Sequence, residues 1–360
     1  MKIAIIGASG FVGNRLVEHL HLGGLHQVVP IVRQPGRLAL PARFNVDWRI
    51  ADALDVNQLT TALAGCDAVV HAAIGNPRQI EAMPAVLTAA AAAAKISRVV
   101  YLSTASVHGQ APSANTNEDA PLHTHHTLDY NNAKVRAEKN FFVTARKHSL
   151  EAFALRPGIV YGPRSRWITD TAADLRAGSA WLFHDGTGIC NSIYVDNLIA
   201  AVLAALTAPA ENAGAYLVGD AETVTWHDFY FRIAKDIGSD VAAIASVKQL
   251  PTFKRSAYAS FQRALTKPSA QRLLPFFPRR MKSSVKRLLQ CMNAPRTSTP
   301  WRLPEPVTPR ITEELALLQQ CSWKFPHDRA ASRLGYRPAV SFSEGLNRSL
   351  AWLAFAEGRT

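Results

Sequence analysis

The sequence predicts an α/β chain: a doubly wound parallel sheet followed by a smaller C-terminal lobe. Three observations carry this prediction. An apolar, β-branched run at residues 2–6 leads straight into the glycine turn Gly7-Ala8-Ser9-Gly10-Phe11-Val12-Gly13. Short strand-like runs then alternate with helix-length segments as far as residue 155, the rhythm of stacked β-α-β units. After Gly162 the alternation loosens, which marks the lobe.

The elements follow in order. Lys2-Ile3-Ala4-Ile5-Ile6 lacks polar alternation, as a strand buried on both faces requires. A helix over 14–21 turns Leu16, Val17 and Leu20 inward. Residues 28–32, 46–50 and 68–72 read as strands two to four. A helix over 83–95 leads to strand five at 98–103, and 151–155 forms strand six, ending in Arg156-Pro157-Gly158. In the lobe, 167–177 is a helix, 185–188 a turn, 191–195 a strand, 198–206 an apolar helix and 215–218 a strand. The chain closes with Leu334-Gly335-Tyr336-Arg337-Pro338 and an amphipathic helix over 342–353.

At 360 residues and 48% hydrophobic content the chain has the makings of a full core. No segment reaches the ~20 apolar residues of a membrane span; the alanine-rich stretch 85–94 reads as a closely packed core helix. The N-terminus enters a strand at once, which leaves no room for a signal peptide. Cys66, Cys190, Cys291 and Cys321 lack metal-ligand spacing, so no metal or disulfide is expected, and the location read is cytoplasmic.

The formal net charge is +13, and 13 Lys or Arg residues fall within 241–304, a stretch without Asp or Glu. Met281, Val285, Leu288, Leu289 and Met292 recur there at helical spacing beside Lys282, Lys286 and Arg287. A basic amphipathic helix can lie on an anionic membrane surface, which would make 270–292 a peripheral contact on the inner membrane face. A lobe helix with a solvated basic face is the other reading. Nucleic acid is not expected, because no regular aromatic interleaving accompanies the charge.

Gly7, Gly10 and Gly13 stand between a strand and a helix, where small residues and free helix-terminal amides, including those of Ser9, Phe11 and Val12, suit a pyrophosphate. The spacing is GxxGxxG. Past strand two, Arg33-Gln34-Pro35-Gly36-Arg37 holds two arginines where an acid would select NAD. Arg33 and Arg37 suit a 2′-phosphate, so NADP(H) is preferred to NAD. Asp52 either bonds the adenine amino group or caps the next helix.

Tyr130 and Lys134 lie four apart and share a helix face. A tyrosine alone has a pKa of ~10; an ammonium and an oxidised nicotinamide nearby draw it towards the working range, so Tyr130 can exchange a proton with a substrate oxygen. Thr104 is the hydroxyl expected to hold that oxygen, with Ser103 and Ser106 as alternatives. His123, His125 and His126 precede Tyr130 in a loop bordering the substrate side.

These pieces resemble the extended short-chain dehydrogenases/reductases, the NAD-dependent epimerase/dehydratase group. The matching runs are GASGFVG, His71-Ala72-Ala73, STASVHG, YNNAK, LRPGIVYGP (155–163), IYVDN (193–197) and LGYRP. The resemblance implies a Rossmann-type sheet at 1–158 with 193–225, and a substrate-binding lobe at 159–192 with 226–360. It implies a Thr104–Tyr130–Lys134 triad, cofactor contacts that add Ala72, Ala73, Lys134 and Pro157, and a homodimer through helices 83–95 and 130–147. Dehydratases of this group carry Asp-Glu after the threonine; here Ala105 and Ser106 stand there, which argues against dehydration. Nucleotide-sugar epimerases commonly carry an arginine before the IYVDN strand, where this chain has Cys190-Asn191-Ser192; Arg164 or Arg166 can substitute. Val195-Asp196-Asn197 is similar to 3-beta-hydroxysteroid dehydrogenase-like members acting on lipophilic ketones. The expected function is therefore an alcohol/ketone oxidoreductase. A nucleotide-sugar epimerase retaining NAD is the alternative, and a non-catalytic dinucleotide sensor that docks on a membrane or partner is the third reading.

Overall fold

A computed structural model describes residues 1–39, 41–253 and 308–359. Met1–Lys248 with Pro309–Thr360 forms one compact unit, and Gln249–Thr308 is a second. The proposed basic helix near 281–292 lies outside the described residues.

In the first unit seven strands make one sheet: β1 (Lys2–Ile6), β2 (Gln27–Val32), β3 (Arg49–Ile50), β4 (Ala68–His71), β5 (Arg98–Leu102), β6 (Glu151–Pro157) and β10 (Gly214–Val218). Their order is β10-β6-β5-β4-β1-β2-β3, and every pairing is parallel. The period of two sorts the side chains. Ile3, Ile5, Val28, Val100 and Phe153 pack with α1 (Phe11–Gly23), α6 (Val195–Thr207) and α9 (Asp328–Leu334). Ala4, Ile6, Val29, Val69 and Val99 pack with α2 (Val56–Leu63), α3 (Pro77–Ala93) and α4 (Asp129–Lys147).

A separate core serves the other elements. Parallel pairs join β7 (Ile159–Tyr161) to β9 (Ser192–Tyr194) and β8 (Trp181–Phe183) to β11 (Ala245–Val247). Around them Ile168, Trp226, Phe229, Leu346 and Leu350 bury together, on α5 (Arg166–Arg176), α7 (Trp226–Asp236) and α10 (Phe342–Ala356). α8 (Glu313–Leu318) adds Leu315 and Leu318. Ala330, Leu334 and Tyr336, from the segment expected in the lobe, instead pack into the core of the large sheet.

Several boundaries differ from expectation, for local reasons. The third strand shrinks to two residues at the sheet edge. Trp48 N donates to Val46 O and Val46 N to Phe44 O, so the preceding chain curls instead of joining the ladder. The helix expected at residue 83 begins at Pro77, where Asn76 and Gln79 form a reciprocal cap, and it carries Pro84 in its interior. α2 and α7 stand where no helix is expected. Asp55, not Asp52, caps α2: its side chain accepts Asn57 N and Gln58 N, each at 3.0 Å. The Asp52 carboxylate accepts Leu54 N at 3.0 Å instead.

The turn after β1 depends on missing side chains. Gly7 sits at φ +85, and a Cβ there would lie 2.6 Å from Ala73 N. A Cβ on Gly13 would lie 2.2 Å from Gly7 O. Gly13→Ala is expected to cost about 1–3 kcal/mol by overpacking and to lower Tm by roughly 2 °C or more; an unchanged Tm in a thermal melt would contradict the close approach.

Candidate active site

The glycine turn delivers the N-terminus of α1 to the C-terminal edge of the sheet, where ligands of such folds sit. Gly10 N-caps the helix without a side-chain hydrogen bond, and its first turn holds no acid. The leading amides and the positive end of the helix dipole are therefore left for an anion. Ser9 is half-buried and Gly10 exposed, with Phe11 and Val12 opening the helix. Ala72 and Ala73 follow β4 directly against Gly7, and Pro157 ends β6. This cradle, which a side chain at Gly7 or Gly13 would fill, fits a dinucleotide pyrophosphate. Arg33 and Arg37 are exposed beyond β2, and among the described residues neither guanidinium has a hydrogen-bond or ion-pair partner.

The chain after β5 and the first turn of α4 meet at the cavity. Thr104 starts a short 3-10 turn over Ala105–His108, and its hydroxyl accepts Ser106 N at 3.2 Å. It also lies near enough to the Tyr130 phenol to favour the phenol's ionised form. One helical turn on, Lys134 is buried; its Nζ donates to Leu102 O at 3.0 Å and lies 5.2 Å from the centre of the Tyr101 ring. The structure thus brings Thr104, Tyr130 and Lys134 together.

Ser103 is different. Its Oγ donates to Glu138 Oε2 at 2.5 Å inside the protein, so it is not available to a substrate. Ser106 remains on the cavity wall.

The electrostatics correct one expectation. Burial, reinforced by the Glu314 carboxylate, pushes the Tyr130 phenol up to about 12, against the opposing pull of Thr104. Burial draws Lys134 down to about 8, with Glu138 opposing. The phenol is therefore held protonated, because desolvation outweighs the nearby cation that sequence spacing alone brings to attention.

A cavity of about 790 Å³ opens over Tyr130 and Thr104. Ile74, Leu128, Trp167, Leu315, Leu318 and Phe325 supply apolar wall, and Gln110, Arg166, Asp170, Arg310 and Glu314 are among the polar wall residues. Of the two arginines proposed to replace the missing substrate cation, Arg166 lies on the wall of this cavity and Arg164 does not. Arg164 Nη1 donates to Asn14 Oδ1 on α1 at 2.9 Å. Arg166 is largely exposed and pairs with Asp170 at 3.1 Å. Asn191 is also committed, donating to Trp323 O at 2.9 Å and accepting Phe325 N at 2.9 Å. Of the loop histidines, His126 faces Val107 O with its Nε2 at 3.1 Å, and its ring lies 4.4 Å from that of His123.

Sequence reasoning missed Glu138, Arg156 and Glu314. Glu138 had a legible signal, since it extends the spacing of Tyr130 and Lys134 by another four residues. Glu314 had none, because only the tertiary fold brings α8 to the cavity.

The sequence pattern of the NAD dependent epimerase/dehydratase family matches residues 3–219. The chain is 23% identical to 3beta-hydroxysteroid-dehydrogenase/decarboxylase isoform 2 of Arabidopsis thaliana, over 96% of its own length and 61% of that protein's. It thus spans less than two thirds of that relative. It is 28% identical to a 3-diazoavenalumate denitrifying reductase of Streptomyces sp, covering 66% of this chain and 82% of that one. Among solved structures, UDP-glucuronic acid 4-epimerase from Bacillus cereus in complex with NAD aligns with a TM-score of 0.69 at 19% identity, over 100% of this chain and 99% of that one. DesIV, a dTDP-glucose 4,6-dehydratase from Streptomyces venezuelae with NAD and TYD bound, gives 0.68 at 19% identity, over 99% and 98%. At these identities the likeness to solved structures is one of fold.

Since Glu314 raises the Tyr130 phenol, Glu314→Gln should lower it. Titration of ¹³Cζ-labelled tyrosine is expected to show the Tyr130 midpoint moving down from about 12; an unmoved or higher midpoint would remove Glu314 from the site's electrostatics.

Proposed function

We propose that this chain, which belongs to the NAD dependent epimerase/dehydratase family, is an NADP-preferring reductase that interconverts a ketone and a secondary alcohol. The observation that carries this reading is the Thr104–Tyr130–Lys134 cluster on the floor of a cavity, beside a helix N-terminus left open for a pyrophosphate.

Gly7, Ser9, Gly10, Phe11, Val12 and Gly13 would cradle the pyrophosphate, with Ala72, Ala73, Lys134 and Pro157 beside the rest of the cofactor. Asp52 retains carboxylate capacity for the adenine amino group. Arg33 and Arg37 would hold the 2′-phosphate, which suits two exposed guanidiniums without acceptors among the described residues. Bound there, a nicotinamide dinucleotide supplies or accepts hydride. The chain's own task is the proton. Thr104 holds the carbonyl oxygen, Tyr130 donates its phenolic proton to that oxygen, and Lys134 stabilises the phenolate left behind. A phenol held protonated at neutral pH carries the proton that reduction of a carbonyl requires.

Apolar wall residues and the commitment of Arg164 and Asn191 to protein partners support a lipophilic ketone, whereas Arg166 and Arg310 on the cavity wall are what a nucleotide sugar would use. In this reading residues 1–158 with 193–225 serve the cofactor, and 159–192 with 226–360 the substrate. The same reading includes a homodimer through α3 and α4, a peripheral membrane contact through 270–292, and a cytoplasmic location.

Two measurements test the proposal. Tyr130→Phe should cut NADPH-dependent ketone reduction by ~10²-fold or more with an unchanged circular dichroism spectrum; full turnover would refute the role. Arg33→Ser/Arg37→Ser should abolish the preference for NADPH over NADH in a binding titration, and a retained preference would place the 2′-phosphate elsewhere.

A further inference from the structure

Tyr130, Lys134 and Glu138 descend one face of α4 at intervals of four, from the cavity floor into the protein. Glu138 is 1% exposed and Arg156, reaching across from β6, 4%. Arg156 Nε donates to both carboxylate oxygens of Glu138 at 3.1 Å, and its Nη2 donates to Oε1. The remaining nitrogen, Nη1, donates to Glu118 O at 3.1 Å and faces His108 Nε2 at 3.1 Å. The last partner of Glu138 is Ser103 Oγ at 2.5 Å. Ser103 directly follows Leu102, whose carbonyl receives the Lys134 ammonium. One carboxylate therefore fastens α4 to the ends of both β5 and β6, beneath the Tyr130–Lys134 pair.

We propose that Glu138 is a positioning residue: through Ser103 and Arg156 it holds the Leu102 carbonyl in register with the Lys134 ammonium and keeps that ammonium charged under Tyr130. The inference rests on the assignment of Tyr130 and Lys134 as the proton-transfer site, and it adds what maintains the lysine in its working state.

The groups facing Lys134 support this. On β4, His71 is fully buried and held neutral, pushed down to about 3 by burial and by Lys134 itself. On β5, Tyr101 is held as a neutral phenol, pushed up by burial, with Tyr130 and Glu138 adding to it. On α4, Tyr130 is also neutral at ordinary pH. On β6, Arg156 spends its charge on Glu138. Among the described residues Glu138 is therefore the anion that offsets the cost of burying Lys134, whose own polar contact is with a backbone carbonyl.

The test uses the full chain. In ligand-free protein with ¹³Cε-labelled lysine, assigned with Lys134→Arg, the Lys134 midpoint is expected near 8. In Glu138→Gln it should fall by about one unit or more. The single substitution leaves Arg156 without its partner and can impair folding, so Glu138→Gln/Arg156→Met is measured as well, with the same expectation. A midpoint unchanged in a folded variant overturns the proposal. In kinetics, the variant's deficit in ketone reduction should grow above pH 7 and shrink towards pH 6, where Lys134 regains its proton. A loss independent of pH would mark a merely structural role and overturn the proposal too. The titration needs no turnover, so it stands apart from the function itself, which fails if Tyr130→Phe stays active.

Discussion

The rest of the structure depends on a buried ion pair. Glu138 and Arg156 lie where α4, the ends of β5 and β6 and the cavity floor meet. Taking two charges out of water is costly, and such a pair is tolerated only when its geometry is good and its remaining hydrogen-bonding capacity is filled. Here the guanidinium engages both carboxylate oxygens, Ser103 fills a further acceptor site, and Glu118 O takes the spare donor. The pair adds little to net stability compared with apolar packing, but it restricts the helix to one position against the sheet. The proposed proton transfer needs that restriction, since small displacements of an acid from its acceptor lose most of its effect.

Above that anchor the chemistry is set by desolvation. An exposed tyrosine and lysine would titrate at ~10 and ~10.4. In this protein burial drives them apart, the phenol up and the ammonium down. The result is a protonated acid next to a cation that is itself close to losing its proton. Thr104 moderates the first shift and Glu138 the second. This pairing suits delivery of a proton to a carbonyl oxygen, and it makes the site sensitive to every charge in its neighbourhood.

Much of this was legible in the sequence where period and spacing carry the information. The run at residues 2–6 and the glycine turn translate directly into β1 and α1, and Tyr130 with Lys134 shares a helix face as their separation requires. Legibility fails where tertiary context decides. Pro84 looks like a helix start, yet Asn76 and Gln79 cap the helix earlier and packing carries it through the proline. Ser103 and Thr104 are alike as neighbours in sequence, but the strand end turns one towards Glu138 and the other towards Tyr130. The upward shift of the phenol was unreadable for the same reason, because burial is a property of the assembled fold. In the lobe, strands of three residues and a helix whose apolar stripe faces a second core leave too weak a pattern to order in advance.

The central claim is a reductase that takes up NADPH and releases NADP⁺ at each turnover, and the most direct measurement is the identity of any dinucleotide the protein retains. Freshly purified protein is denatured, and released nucleotides are identified and quantified by mass spectrometry. The account predicts a site without stoichiometric NAD that afterwards binds NADPH more tightly than NADH. One NAD per chain, retained through purification, would contradict it and point to a closed redox cycle of the epimerase kind.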